Sequence, residues 1–113
     1  MGTATDLKLV RMKKAINNLL SDIKSKVLPV DAVILFGSVL NEKFNEYSDL
    51  DICIIHESDL TIRQLRELEL YFKELLADEV DANFIYCNRE KLQQGHQVFD
   101  SIRKEGKVIY GIL

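Results

Sequence analysis

The sequence predicts an α/β (α+β) domain in which helices flank a small mixed sheet of three or more strands. Helical periodicity in the first segment, short β-branched runs after it, and the alternation of the two kinds of segment all favour this class. At 113 residues we expect one compact domain, residues 1–113, because two smaller cores would each be marginal.

The first half of the chain predicts one long helix followed by two buried strands. Apolar side chains recur at helical spacing over residues 9–27, and Pro29 prevents that helix from continuing. Residues 30–36 and 50–55 are short apolar runs rich in β-branched side chains, as in buried strands. The polar residues 39–48 between them predict a loop or a short helix.

A second long helix and a third strand follow. Thr61 and Gln64 have the spacing of a capping box, and apolar residues at helical spacing continue to about Ala77. Residues 80–87 alternate as a strand does, and Asn88 is suited to cap the next segment.

The last segment predicts a helix that ends near the chain terminus. We expect Gly95 to break or bend this helix and Gly106 to terminate it. Residues 108–110 then form a short apolar end.

Composition narrows the class of function. Apolar residues make up 47% and charged residues 29%, which is typical of a folded domain. The net charge of -3 argues against long nucleic acids as partners. No apolar run is long enough to cross a membrane or to form a signal segment, so we expect a cytoplasmic protein. Cys53 and Cys87 lie in strand-like runs, where we expect reduced, buried thiols.

The second strand has acidic residues where a buried strand should be apolar. Asp49 and Asp51 are two residues apart, so their side chains leave the same face, roughly 6 to 7 Å apart along the backbone. Two carboxylates this close repel each other, and a divalent cation is the natural compensation. Oxygen ligands without histidine favour Mg²⁺ or Mn²⁺, and such ions serve phosphoryl chemistry.

Asp81 repeats this anomaly in the third strand. If that strand lies beside the second one, Asp81 can face Asp49 and Asp51 and complete a cluster of three carboxylates. Structural interpretations remain open as well: Asp49 can be a turn residue, and Asp51 can be a buried aspartate that pairs with a side-chain cation. Asp81 can simply belong, with Asp78 and Glu79, to a group of acidic residues at the entrance of the third strand.

Gly37 and Ser38 close the first strand. A glycine lets a phosphate approach the backbone, and a serine hydroxyl with neighbouring N–H groups can donate hydrogen bonds to phosphate oxygens. Gly-Ser alone is weak evidence, because many strands end this way. Combined with Asp49 and Asp51 at the start of the next strand, the pattern is far more specific than Gly-Ser alone.

These motifs resemble the minimal nucleotidyltransferase (MNT) domains of the DNA polymerase β superfamily. The resemblance is carried by LFGS at residues 35–38, SDLDI at 48–52, Val80-Asp81, and the closing run 102–110. It covers nearly the whole chain and implies the nucleotidyltransferase fold.

The resemblance implies a metal-dependent transfer of a nucleoside monophosphate, usually AMP from ATP, to a hydroxyl of a protein or small molecule. Asp49 and Asp51 would bind both metal ions, and Asp81 would bind the ion at the attacking hydroxyl. Gly37 and Ser38 would hold the outgoing phosphates.

One departure from the family pattern supports a second hypothesis. Members often continue Gly-Ser with an arginine-rich run, whereas residues 39–42 are VLNE and the first cation is Lys43. Related domains are often paired with a helical HEPN-type toxin, so the partner is expected to be such a protein or a second copy of this chain. The alternative function is an antitoxin-like binding module with little catalysis.

Overall fold

The computed structural model describes residues 3–94 and 97–113. It has four helices and four strands within those ranges: α1 (Ala4–Ser25), β1 (Val30–Phe36), β2 (Leu50–His56), α2 (Ile62–Leu76), β3 (Ala82–Cys87), α3 (Arg89–Gln93), α4 (Gln97–Glu105) and β4 (Lys107–Gly111). A 3₁₀ turn at Gly37–Leu40 follows β1. Gly95, predicted to break the last helix, lies outside the described residues.

Helix α1 begins earlier than its apolar periodicity predicts. The Thr3 hydroxyl accepts a hydrogen bond from the Asp6 backbone N–H, and the Asp6 carboxylate accepts one from the Thr3 N–H. This capping box satisfies N–H groups that the first turn leaves unpaired, so the helix extends to Ala4. The helix ends at Ser25, two residues before the predicted Val27, which has the left-handed φ of 51°.

Helix α2 confirms its predicted start. The Thr61 hydroxyl accepts from the Gln64 N–H at 3.1 Å, and the Gln64 side-chain oxygen accepts from the Thr61 N–H at 2.9 Å. Ala77 is the C-cap, as predicted. Strand β3 begins at Ala82 and not at residue 80, because the Val80 N–H still bonds to the Leu76 carbonyl at the end of α2.

The sheet is mixed, as predicted, with the order β3-β2-β1-β4. Strands β2 and β3 are parallel, and β1 is antiparallel to both β2 and β4. The third strand thus lies beside the second, which is the condition that the sequence analysis set for Asp81 to face Asp49 and Asp51. This pairing brings the starts of β2 and β3 to the same end of the sheet, beside the end of β1.

Strand β4 was missed by the sequence prediction, which described residues 108–110 only as an apolar end. It pairs with β1, with Tyr110 opposite Val33 and Val108 opposite Ile34. Its partner is more than 70 residues away along the chain, so local periodicity could not reveal the pairing.

Each face of the sheet is covered by its own pair of helices. Buried side chains of α1 and α2, such as Leu19 and Phe72, pack on Ile52 and Ile54 of β2. On the other face, Leu92 of α3 and Ile102 of α4 pack with a cluster that contains Cys53 and Cys87. These two cysteines are buried free thiols whose sulfur atoms lie 3.9 Å apart. Within the described ranges, no helix is both long enough and apolar enough to cross a membrane.

Candidate nucleotide site at the sheet end

Three strand ends meet at the candidate site. Phe36, the last residue of β1, pairs with Asp51 of β2, and Asp51 pairs with Asn83 of β3. The chain therefore leaves β1 through Gly37 beside the point where β2 and β3 begin. The polar side chains that were predicted from three separate segments lie at this one end of the sheet.

Asp49 and Asp51 are joined by a shared hydrogen-bond donor. The side-chain nitrogen of Asn83 donates to Asp49 Oδ2 at 3.2 Å and to Asp51 Oδ1 at 3.1 Å. Both aspartates are partly buried and Asn83 is exposed. The two carboxylates thus converge on the Asn83 amide.

Gly37 lies directly against Asp51. Its φ of +78° is in the left-handed region, and a Cβ atom at this position would stand 2.1 Å from Asp51 Oδ2. An alanine would therefore be strained by the backbone and would also collide with the carboxylate. The absence of a side chain at position 37 lets Asp51 reach the backbone that leaves β1.

The turn after Gly37 is closed by Asn41. The Asn41 backbone N–H donates to the Ser38 carbonyl at 3.0 Å, and its side-chain oxygen accepts from the Lys43 N–H at 2.8 Å. The Ser38 side chain is partly buried, and its hydroxyl makes no hydrogen bond with the residues that the structure describes. A cavity of about 380 Å³ beside this turn is lined by Gly37, Asn41 and α4 residues that include Ser101.

Asp81 lies immediately before β3. Its backbone carbonyl accepts a hydrogen bond from the Leu50 N–H at 2.9 Å, which extends the parallel ladder to the position beside Asp49. Its side chain is exposed and lines a cleft of about 400 Å³ that also includes Lys8 and Arg11 of α1. Among residues 3–94 and 97–113, no three His, Cys, Asp or Glu side chains are grouped as a metal site. The metal role of Asp81 stays a prediction.

Comparison with protein families decides the classification. Residues 16–109, which include all five predicted site residues, match the family model described as "Nucleotidyltransferase domain". The chain belongs to this family. The match begins within α1 and ends within β4, so it includes the first three strands and the helices between α1 and β4.

A curated relative agrees with this family, and two solved structures share the fold. The chain is 38% identical over 52 residues to "Putative protein adenylyltransferase MJ1217" of Methanocaldococcus jannaschii, which corresponds to 46% of this chain and 53% of that protein. The chain thus spans about half the length of this curated relative.

The two structures share the fold at low sequence identity. The first is described as a putative nucleotidyltransferase from Sulfolobus solfataricus, with a TM-score of 0.62, 13% identity, and coverage of 98% of this chain and 90% of that chain. The second is a tri-AMPylated HEPN toxin of Shewanella oneidensis in complex with an MNT antitoxin, with a TM-score of 0.53, 20% identity, and coverage of 88% and 72%.

Asn83 is the site residue that the sequence prediction overlooked in this nucleotidyltransferase domain. No role was assigned to it from the sequence. The available signal was a second polar side chain in an otherwise apolar strand, two positions after an aspartate. Its contacts depend on the register of β2 against β3, which sequence periodicity does not specify.

Proposed function

We propose that this chain transfers AMP from ATP to a hydroxyl group, with Asp49 and Asp51 as ligands of Mg²⁺ or Mn²⁺. The observation that carries the proposal is the convergence of two carboxylates, partly buried at the sheet end, against a glycine that leaves no room for a Cβ. Nucleotidyltransferases of this kind use divalent metal ions, so this convergence has a chemical purpose in the family.

The donor set fits a hard divalent cation. Asp49 and Asp51 offer carboxylate oxygens at one point, where both now accept hydrogen bonds from the Asn83 amide. Oxygen-only ligands suit Mg²⁺ or Mn²⁺ better than zinc or copper. When bound, the ion would neutralise the pair and polarise phosphate oxygens.

Gly37 and Ser38 would hold the outgoing phosphates. Gly37 brings the backbone close to Asp51 without an intervening side chain, and the Ser38 hydroxyl has no described partner to give up. Backbone N–H groups in a turn with a left-handed residue can point toward an anion. These features support a triphosphate lying along the turn with its α-phosphate beside the carboxylates.

The acceptor would approach from the side of β3. In-line displacement requires the attacking oxygen and the leaving pyrophosphate on opposite sides of the α-phosphorus. With the pyrophosphate held near Gly37, the hydroxyl would enter near Asp81, next to the cleft that Lys8 and Arg11 line. The acceptor oxygen bonds to the α-phosphorus, the bond to the β-phosphate oxygen breaks, and the hydroxyl proton is released beside Asp81.

A protein is the acceptor class that the comparisons favour. The relative from Methanocaldococcus jannaschii is described as a protein adenylyltransferase, and one structural neighbour is bound to a tri-AMPylated HEPN toxin. By extension, the partner of this chain is proposed to be a HEPN-type helical protein that carries the hydroxyl, in a toxin-antitoxin pair.

The turn after Gly37 favours a second candidate function, an antitoxin-like binding module. Asn41 uses its side chain to close the turn on Lys43, and the exposed Glu42 adds a negative charge where phosphates would lie. Lys43 is the first cation after Ser38. A chain that covers its partner without modifying it would tolerate this turn.

Incubation with α-labelled ATP and Mg²⁺ tests the two candidates. A HEPN-type helical protein would serve as the partner, and the chain would be assayed with and without it. Label on the partner that disappears with EDTA supports transfer. A stable complex in which neither protein becomes labelled supports the binding module and contradicts the enzymatic proposal.

A further inference from the structure

We propose that Asn83 is a positioning residue that holds Asp49 and Asp51 together in the metal-free protein and is displaced when a divalent cation binds. The first half of this inference concerns the protein without metal. The second half rests on the proposed function, because it needs the cation that the carboxylates are proposed to bind.

The orientation of the Asn83 amide follows from its neighbours. Ionised carboxylates only accept hydrogen bonds, and the amide nitrogen of asparagine has two hydrogens to donate. A single nitrogen lies 3.2 Å from Asp49 Oδ2 and 3.1 Å from Asp51 Oδ1, so each hydrogen can serve one carboxylate. The opposite orientation would bring the amide oxygen against two anions.

The amide occupies the place that a shared cation would take. A cation bridging the carboxylates would have to lie within reach of the same two oxygen atoms, Asp49 Oδ2 and Asp51 Oδ1. No Lys or Arg side chain forms an ion pair with either aspartate in the described part of the chain. Asn83 is therefore the donor that offsets their repulsion before metal arrives, and its exposed position leaves it free to turn away.

This arrangement predicts the sign of a change in metal affinity. Asn83 stabilises the metal-free state alone, so its removal should destabilise that state and leave the metal-bound state unchanged. By linkage, the variant must then bind Mg²⁺ more tightly. A metal ligand would show the opposite sign, since its loss weakens the bound state.

Asn83→Leu tests the metal-free half by thermal unfolding in EDTA. We expect its melting temperature to fall by about 4 to 8 °C, and Asn83→Ser to change it in the same direction. In an Asp51→Asn background, Asn83→Leu should lower the melting temperature by less than half as much, because one carboxylate of the pair is already neutral. Asn17→Leu is the matched control, since Asn17 is an exposed helical residue of α1.

Calorimetric titration with Mg²⁺, without ATP, tests the displacement. We expect Asn83→Leu to lower the Mg²⁺ dissociation constant about fivefold relative to the unsubstituted chain. The positioning role would be overturned if Asn83→Leu left the melting temperature in EDTA unchanged. It would also be overturned if Asn83→Leu lowered the melting temperature equally with and without Asp51→Asn. Weaker Mg²⁺ binding would overturn displacement and make Asn83 a ligand.

The metal-free role of Asn83 and the proposed function can be tested independently. If the unsubstituted chain binds no Mg²⁺ and labels no partner, the proposed function and the displacement fail together. The melting temperatures in EDTA would still decide whether Asn83 holds the two aspartates.

Discussion

The start and the centre of β2 differ, although they belong to one strand and share one face. Asp51, at the start, is partly exposed and contacts the Asn83 amide. Cys53 and Ile55, two and four residues later, are fully buried under α3 and α4. Polar side chains are tolerated at the start of β2 because the layer of helices ends there. The same strand therefore has a buried centre that stabilises the fold and a partly exposed start that carries the candidate site.

Asp51→Asn should impair nucleotidyl transfer at the start of β2 without unfolding the domain. We expect nucleotidyl transfer to fall by roughly 1,000-fold, because losing a metal ligand removes several kcal/mol of charge stabilisation. Ser38→Ala should cost only about fivefold, the effect of one hydrogen bond. Transfer rates with labelled ATP and circular dichroism on both variants check this. Similar small losses for both would mean that the aspartate pair is structural.

Ile55→Ala should destabilise the fold through the buried centre of β2. Truncating a fully buried isoleucine removes apolar contacts and leaves a cavity, so we expect unfolding free energy to fall by about 2 to 5 kcal/mol. Ile62, whose side chain is 74% exposed at the start of α2, is the control. Its change to alanine should stay within about 0.5 kcal/mol. Urea denaturation measures both, and equal effects would contradict the burial of this face.

Gly37→Ala would place a Cβ atom against Asp51 at the start of β2. The left-handed φ and the collision with Asp51 should together lower unfolding free energy by about 1 to 2 kcal/mol. Combining it with Asp51→Ala removes the carboxylate, so only the strain from φ should remain. Urea denaturation of the two single variants and the double variant checks this. If their losses of unfolding free energy simply add, the Cβ at position 37 does not collide with Asp51.

Mg²⁺ bound at the start of β2 should stabilise the folded domain. At about ten times its dissociation constant one ion adds roughly 1.4 kcal/mol, seen as a rise of several degrees in melting temperature. Asp49→Asn should raise the metal-free melting temperature by relieving repulsion and should shrink the Mg²⁺ shift. Identical melting in Mg²⁺, Mn²⁺ and EDTA, with and without ATP, would remove the main support for a metal site.

Much of this site could be predicted because its signals are local. An aspartate inside an apolar strand is anomalous within a few residues, and a glycine at a strand end marks a turn, so Gly37, Asp49 and Asp51 were identified from short windows. The capping box at Thr61 is equally local, since its two hydrogen bonds join residues three positions apart. These features need no knowledge of which strands pair.

Sequence alone therefore determined the segments, their alternation and the acidic residues that interrupt them. Tertiary structure decided which segments became neighbours. Strand β4 exists because residues near the chain end find the free edge of β1, and Asn83 reaches Asp49 and Asp51 because the parallel register sets it opposite Asp51. A shift of one residue in that register would turn Asn83 to the other face. Its role depends on the packing of the whole sheet and not on its own sequence neighbourhood.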